Sequence, residues 1–175
     1  MQIDGYQVIA PALLGEPCNQ SEALGAATWL WMQSPLHRDA PLHALSQLLL
    51  PAIVKGQFVL LSEQGKPVCF LSWARFSRVA EYRYLHNPPI AMALADWDSG
   101  SREWILDLIA PFGHGARVVQ LLRKRLLAGH IMRSLYHRGS ERGIRIKHFV
   151  GGALLPEEAR TWLALNPPAW ELKDE

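Results

Sequence analysis

The chain has 175 residues, of which 18 are Lys or Arg and 16 are Asp or Glu, so its formal net charge is +2. A hydrophobic fraction of 49% at this length indicates one globular domain with a substantial core, and it excludes a disordered or collagen-like protein. The near balance of charge excludes a uniformly basic nucleic-acid binder. Two Cys without a CxxC spacing, and no apolar run of about 20 residues, favour a soluble, reducing, cytoplasmic setting with no metal and no membrane span.

The N-terminal third is predicted to be an arm followed by two helices. Residues 1–20 contain several Gly and Pro and little periodicity, which predicts a flexible, loosely held arm. One helix is expected to begin with Ser21 as its N-cap and to be ended by Pro35, and Pro41 is expected to open a second. The side chains of the second helix that are expected to face the core are Leu42, Leu45, Leu48 and Leu49.

The rest of the chain alternates strands and helices. Apolar alternation and turn residues predict a hairpin of strands over 57–62 and 67–73. Further strands are expected over 80–85, 103–110 and 143–150, and helices over 90–95, 116–128 and 156–165. This order predicts an α/β (α+β) fold in which a single domain, residues 21–152, is built on one mixed sheet flanked by helices. Residues 153–175 follow as a C-terminal helix and tail.

The first candidate site is the connection between the predicted strand 103–110 and the predicted helix 116–128. Gly113 and Gly115 bracket the turn, and Arg117 lies in the first turn of the helix. Free backbone N–H groups at such a helix start suit a phosphate or a pantetheine chain. A tight connection between strand and helix explains the same glycines without any ligand.

Two titratable residues stand in unusual surroundings. His37 lies in a Pro-bounded turn beside Arg38, where a histidine can be held rigidly, although a solvated loop residue is the common alternative. Asp107 is the only acid in the apolar run from Trp104 to Ala110, where it needs a partner. That partner is either an Arg, in a structural pair, or a His, which the Asp would orient as a general base.

Charge is distributed unevenly along the chain. Residues 113–150 hold nine Lys or Arg and one acid, a net charge of +8, with Arg123, Lys124 and Arg125 as the densest run. The segments before and after it each have a net charge of −3. A solvated helix face explains most such runs, but this arrangement favours a docking surface for an acidic partner.

Several motifs, in order, carry a resemblance to a known family. They are SPLHR from Ser34, LPAI from Leu50, DWDSG from Asp96, Arg102, Trp104 and DLIAPFG from Asp107. Between about Thr28 and Gly152 the chain resembles the RTX toxin-activating lysine acyltransferases. Two positions depart from the family pattern: Leu48 stands where the family often has Asn, and His114 adds a second histidine after the last motif.

The resemblance implies a fold like that of the GNAT acetyltransferases and a cytoplasmic enzyme, commonly a homodimer. It implies that a fatty acyl group moves from acyl carrier protein, as its phosphopantetheine thioester, to internal lysines of an RTX protoxin, with no bound cofactor. The essential histidine of the family falls on His37 and its catalytic aspartate on Asp107. The acyl chain would need an apolar slot, for which Trp29, Trp31 and Trp73 are candidates, although core packing explains each of them.

Two alternatives remain open from the residues. One is a GNAT-like enzyme that uses acyl-CoA on another amine. The other is a non-catalytic module that binds RNA or an acidic protein through residues 113–150.

Overall fold

The structure is a computed structural model that describes residues 1–136 and 145–172. Within these residues, seven strands form one mixed sheet in which their spatial order equals their order in the chain. The strands are β1 (Gln2–Ile3), β2 (Tyr6–Ile9), β3 (Phe58–Glu63), β4 (Lys66–Phe76), β5 (Arg102–Ile109), β6 (Ile131–Tyr136) and β7 (Arg145–Val150). Neighbouring strands are antiparallel except for β5 and β6, which are parallel.

Helices cover both faces of this sheet. They are α1 (Pro11–Leu14), α2 (Gln20–Gln33), α3 (Leu50–Val54), α4 (Arg78–His86), α5 (Gly115–Leu121) and α6 (Pro156–Leu165). Leu45–Leu49 and Leu122–Leu126 form π-helical turns before α3 and after α5, and Pro89–Ala91 and Leu94–Trp97 form short 3₁₀ turns. No helix of the described residues is both long enough and apolar enough to cross a membrane.

The two faces of the sheet carry different helices because successive side chains of a strand point in opposite directions. Val59 and Leu61 of β3 pack in one buried cluster with residues of α5 and its π-helical turn. Phe58 and Leu60 pack in another with α2, the Leu45–Leu49 turn and α3. The result is three layers with the sheet in the middle, the predicted α/β fold, and it is consistent with a GNAT-like architecture.

The prediction of a flexible, loosely held arm over residues 1–20 is wrong. Residues 1–20 contain β1, β2 and α1, and β2 pairs with β3 from Gln7↔Ser62 to Ile9↔Leu60. Tyr6 and Val8 are 1% and 0% exposed, so this segment belongs to the core of the α5 face. The four-residue strand is too short to give a periodic signal of its own, and its position depends on the pairing with β3.

The first predicted helix is confirmed, but its cap is Asn19 rather than Ser21. The Asn19 side chain accepts hydrogen bonds from the backbone N–H groups of Ser21 (3.0 Å) and Glu22 (3.3 Å). α2 then ends at Gln33, two residues before Pro35.

The second predicted helix begins later than Pro41, and Leu42 is 82% exposed instead of facing the core. Helical structure starts at His43, and from Leu45 the turn is widened so that Leu50 N–H bonds to the Leu45 carbonyl. Pro51 explains the wide turn, because it has no N–H to donate and its ring crowds the preceding turn. Of the other leucines expected in the core, Leu49 is fully buried and Leu45 and Leu48 are partly buried.

Residues 80–85, predicted as a weak strand, belong instead to helix α4. The Ser77 hydroxyl caps this helix by accepting a hydrogen bond from Ala80 N–H at 3.2 Å. The buried side chains are spaced four apart, Ala80 with Tyr84 and Glu81 with Leu85, which is a helical spacing. In a six-residue window that spacing is difficult to distinguish from strand alternation.

Strand β6 escapes the sequence prediction because a charged residue interrupts its apolar run. Arg133 is 1% exposed, and its guanidinium donates to Glu81 at 3.3 Å. A buried charge of this kind has the sequence signature of a surface residue, although its partner lies 52 positions away.

The helix predicted over 90–95 is wrong, because two separate 3₁₀ turns, Pro89–Ala91 and Leu94–Trp97, stand in its place. The remaining predicted elements are confirmed with small shifts in their bounds. The hairpin is β3–β4, and its loop residues Gln64 and Gly65 both have positive φ, as a two-residue turn requires. The strand over 103–110 is β5, the helix over 116–128 is α5 with its π-helical turn, and the C-terminal helix is α6. The last strand is confirmed from Arg145, and residues 143–144 of that prediction lie outside the described residues.

Candidate active site

Asp107 lies on β5, at a β-bulge that sets its direction. It pairs with Ser72 of β4, whereas the next pair is Trp73 with Ile105, so Leu106 is an extra residue on β5. A bulge re-aims the side chains beside it and is common near active sites. The register places the Asp107 side chain on the sheet face that carries α2, where it is 15% exposed.

His37 lies in the turn that follows α2. The carbonyl of Ser34 accepts hydrogen bonds from the backbone N–H groups of His37 (3.0 Å) and Arg38 (2.9 Å), which closes the turn tightly. The imidazole ring packs against the ring of Trp31, with 4.8 Å between centroids. The side chain is 21% exposed, so it is held in place without being closed off from solvent.

The structure brings His37 and Asp107 together, although they are 70 positions apart in the chain. His37 Nε2 lies 3.0 Å from Asp107 Oδ1, and His37 Nδ1 lies 2.8 Å from the Ser34 hydroxyl. An ionised carboxylate only accepts hydrogen bonds, so a neutral His37 carries its proton on Nε2 and donates it to Asp107. Nδ1 is then the basic nitrogen, and it accepts the hydrogen bond from Ser34.

The negative charge of Asp107 also acts on a neighbouring side chain. Burial and, as a second cause, this charge raise the pKa of the Tyr84 hydroxyl far above its usual range. Tyr84 is therefore neutral at any physiological pH.

The predicted glycine-rich loop is a tight connection tied to β3. Gly113 has φ +80, a backbone conformation that glycine adopts readily, and Gly115 is the first residue of α5. His114 contacts Glu63 at 3.1 Å, and Arg117 lies 3.6 Å from the same carboxylate. The contact of His114 with Glu63 separates its role from that of His37.

The basic residues of α5 and its π-helical turn lie on the other side of the sheet from His37. They are Arg117, Arg123, Lys124 and Arg125. Arg125 pairs with Asp4 at 3.6 Å, and the Arg123 carbonyl accepts a hydrogen bond from Gly152 N–H at 2.8 Å. A surface cavity of about 320 Å³ lies between α5 and the β1–β2 hairpin. Its lining residues are Asp4, Tyr6, Arg117, Gln120, Leu121, Lys124 and Arg125. Two further cations of the basic segment, Arg138 and Arg142, lie outside the described residues.

A gap between β5 and β6 connects the α5 side of the sheet with the α2 side, where His37 lies. β5 and β6 pair only at Trp104↔Arg133 and Ile105↔Ser134, so the rest of β5 has no partner on β6 within the described residues. Asp107 lies two residues after Ile105, the last paired position. A backbone edge of this kind has N–H and C=O groups that an extended ligand with amide groups could bind.

Of the three tryptophans considered for an acyl slot, Trp73 is excluded. It is 3% exposed and lies in the cluster on the α5 face. Trp31 packs on His37, and Trp29 lies 5.5 Å from the ring of Phe112.

Sequence reasoning assigned no role to Ser34, although SPLHR contains it. The spacing of three residues between Ser34 and His37 in a turn is the signal that could have suggested their contact. It also missed Glu81, which is 0% exposed and accepts hydrogen bonds from four groups. Those donors are Arg102 (2.7 Å), Trp104 (2.7 Å), Arg133 (3.3 Å) and the backbone N–H of Ala169 (3.0 Å).

Several motif residues are therefore structural. Arg102 and Trp104 bind the buried Glu81 carboxylate, while Asp98 receives two hydrogen bonds from Arg75 at 2.8 and 3.0 Å. Gly100 lies where an added Cβ would be only 2.5 Å from the Phe76 carbonyl oxygen, so no larger residue fits.

Comparison with known proteins places the chain in a family. Residues 16–150 match the model of the RTX toxin acyltransferase family. The leukotoxin-activating lysine-acyltransferase LtxC of Aggregatibacter actinomycetemcomitans is 40% identical over 137 residues, which cover 78% of this chain and 80% of that protein. The protein-lysine palmitoyltransferase CyaC of Bordetella bronchiseptica is 39% identical over 157 residues, 88% of this chain and 83% of CyaC. The protein-lysine myristoyltransferase HlyC of Escherichia coli is 42% identical over 104 residues, 59% and 61% of the two chains.

A match over most of the chain, together with relatives of this identity, defines the class as acyltransferases. The chain belongs to the RTX toxin acyltransferase family.

Proposed function

We propose that this protein transfers a fatty acyl group from acyl carrier protein to the ε-amine of internal lysines in an RTX protoxin and thereby activates it. The observation that carries the proposal is the hydrogen-bonded series Ser34–His37–Asp107, a base with an orienting carboxylate, in a member of this family. Relatives named as lysine myristoyl- and palmitoyltransferases support lysine as the acceptor and a long acyl chain as the group transferred.

The reaction exchanges one bond for another at the acyl carbon. The lysine nitrogen attacks the thioester carbonyl, a C–N bond forms, the C–S bond breaks, and the pantetheine thiolate leaves. The attacking amine must lose protons, because a lysine with the usual pKa of about 10.4 is charged at neutral pH. One of those protons needs a base within hydrogen-bond reach.

His37 Nδ1 is that base. In the tautomer fixed by Asp107, the lone pair of Nδ1 faces the Ser34 hydroxyl. We infer that Ser34 takes the proton of the amine and passes its own to Nδ1, and that Asp107 stabilises the imidazolium that forms. The proton then returns to the leaving thiolate.

The charge distribution supports an acidic carrier as donor. A carrier docked on Arg117, Arg123, Lys124 and Arg125 would lie on the α5 side, while His37 lies on the α2 side. Its pantetheine arm would reach the pair along the part of β5 that has no β6 partner within the described residues, past Gly113 and Gly115. The acyl thioester on the carrier's own arm, rather than a cofactor bound to the enzyme, then supplies the reactive carbonyl group.

The setting that we propose for this reaction is the cytoplasm, where acyl carrier protein is available, with the enzyme as a homodimer as the family resemblance implies. Sedimentation of the purified chain would test the dimer.

Intact-mass measurement tests the function directly. An RTX protoxin is incubated with wild-type protein and with myristoyl- or palmitoyl-acyl carrier protein, and matched acyl-CoA donors are run in parallel. The expected result is a fatty-acyl mass increment with the carrier donor and none with His37→Ala, and peptide mapping places it on lysine. Transfer from acyl-CoA alone would replace the carrier by a different donor, and full activity of His37→Ala would remove this histidine from the mechanism.

A further inference from the structure

The surface beside His37 has an unusual number of exposed apolar side chains. Leu36 is 90% exposed, Leu42 82%, Leu94 65% and Met32 61%. These are four of the five most exposed large apolar side chains among the described residues; Leu165 on α6, at 76%, is the other. Scattered exposed leucines are ordinary, but a concentration of this kind marks a binding surface.

Met32 lies on α2 and Leu94 opens the Leu94–Trp97 turn, while Leu36 and Leu42 lie in the segment that connects α2 to the Leu45–Leu49 turn. The helices and turns around that segment pack together on the α2 side of the sheet. α2 contacts both the Leu45–Leu49 turn and α3. The Pro89–Ala91 turn contacts Leu45–Leu49, and the Leu94–Trp97 turn contacts α3. We call the set Met32, Leu36, Leu42 and Leu94 the apolar surface.

Charged residues are absent from the segments that form it. The sequence has no Asp, Glu, Lys or Arg between Ala23 and His37, between Ala40 and Val54, or between Asn87 and Ala95. In a chain of which 19% is charged, this depletion is concentrated on one side of the molecule. A partner that binds there needs no charge of its own.

The apolar surface begins at the reacting residues. Leu36 directly precedes His37, and Met32 directly follows Trp31, whose ring packs on the imidazole. Any group attached to a carbonyl that reacts at His37 therefore starts at the edge of this surface.

We infer that the apolar surface binds the acyl chain of the donor and selects for its length, an inference that rests on the proposed function. An acyl chain is uncharged, matches segments that hold no charged residue apart from the exposed Arg38–Asp39 pair between two of them, and is attached to the carbon that reacts at His37. A lysine-bearing protein segment is a poorer match because it brings charge with it. Contact with water is unfavourable in proportion to the apolar area of the chain, so a surface that covers the chain favours longer donors.

Chain-length dependence tests this inference. Transfer is measured from octanoyl-, myristoyl- and palmitoyl-acyl carrier protein with wild type and with the triple variant Leu36→Gln, Leu42→Gln, Leu94→Gln. We expect kcat/KM for palmitoyl transfer to fall at least tenfold in the variant, and kcat/KM for octanoyl transfer to fall less than threefold. Leu165→Gln is the matched control, an equally exposed leucine outside the surface, and should leave both values unchanged.

A second measurement separates binding from turnover and from folding. In a His37→Ala background, where the donor stays unreacted, the three substitutions should weaken binding of palmitoyl carrier and leave octanoyl carrier unaffected. The thermal unfolding midpoint should stay that of the parent, since the three leucines are exposed.

Three results would overturn the inference. Wild-type kcat/KM values for both donors in the triple variant would exclude the acyl chain as occupant. Equal loss for both lengths would assign the surface to the protoxin or to vesicles, and equal loss with a lower sedimenting mass would assign it to a second copy of the chain. Absence of wild-type transfer from every carrier donor would instead contradict the proposed function itself.

Discussion

Two carboxylates near β5 have opposite environments. Glu81 is fully buried and accepts hydrogen bonds from four groups, whereas the Asp107 side chain is 15% exposed and holds one ring nitrogen of His37. A buried carboxylate with every lone pair occupied fixes elements together but has nothing left to exchange. A partly open carboxylate bound to one titratable ring can stabilise a charge that appears and disappears. The family motifs contain partners of both, so motif membership alone does not separate structure from chemistry.

Amidation of Asp107 should produce the largest effect on activity. Asp107→Asn keeps the shape but removes the charge, and its amide can donate to Nε2 and impose the wrong tautomer on His37. We expect kcat to fall roughly 10²–10⁴-fold, the usual contribution of general acid–base catalysis. The free energy of unfolding should change by less than about 1 kcal/mol, as for other partly exposed sites. Transfer rates and urea unfolding of the same preparation measure kcat and the free energy of unfolding. An active but unstable Asp107→Asn protein would contradict the assignment of Asp107 to the chemistry rather than to the fold.

The matching amidation at Glu81 should act on stability instead. Glu81→Gln leaves Arg102 and Arg133 without their charge partner, and breaking a buried ion pair costs about 3–5 kcal/mol. Urea unfolding gives the value, with Glu16→Gln, whose side chain is 48% exposed, as the control. A fully stable Glu81→Gln protein would show that this cluster does not hold the fold together.

Removal of the Ser34 hydroxyl should have an intermediate effect. Ser34→Ala removes the relay and the partner of Nδ1, and we expect kcat to fall about 10–100-fold, a loss in keeping with one hydrogen bond to a group that becomes charged. Ser34→Thr keeps a hydroxyl and should recover much of the activity, which a purely steric role would not allow. Ser46→Ala, which removes the hydroxyl of an exposed serine in the Leu45–Leu49 turn, is the control. Wild-type rates for Ser34→Ala would show that the amine reaches His37 without a relay.

Substitution of two histidines of the β6–β7 region, His130 and His148, should have the smallest effects. Their effects on the pH dependence of stability should be opposite in sign. The hydrogen bond that His130 donates to Glu103 raises the pKa of His130, so its stabilising contribution is complete below its unfolded pKa of about 6.5 and is lost as pH rises through the folded value. Burial, and then the charge of Arg133, lower the pKa of His148, so its contribution is present above about 6.5 and is lost on acidification.

Urea midpoints between pH 6 and 8 test this pair. His130→Gln should remove a decrease in stability toward pH 8, and His148→Gln should make that decrease steeper, each by less than about 1.4 kcal/mol, the value of one pKa unit. The same slope in both variants would refute the assignment.

The fold was predictable where local signals agree with the packing. The β3–β4 hairpin, β5, α5 and α6 have clear periodicity and turn residues, and all of them are present. The failures occur where a distant partner decides the outcome. β2 exists because it pairs with β3, and β6 buries Arg133 because Glu81 lies opposite.

The site was predictable in part. His37 and Asp107 stood out separately by their surroundings, and the family resemblance joined them. Their distance, the contact with Ser34 and the position of the basic residues across the sheet depend on tertiary structure. No pattern within one strand or helix carries that information.

The placement of α5 and His37 on opposite faces of the sheet has a kinetic consequence. In the proposed reaction, a carrier protein on one face and a protoxin on the other would not compete for the same binding surface. Neither would then have to dissociate before the other binds. An enzyme built in this way would form a ternary complex in either order of addition. Its two macromolecular substrates would meet only through the slender arm that crosses between the layers.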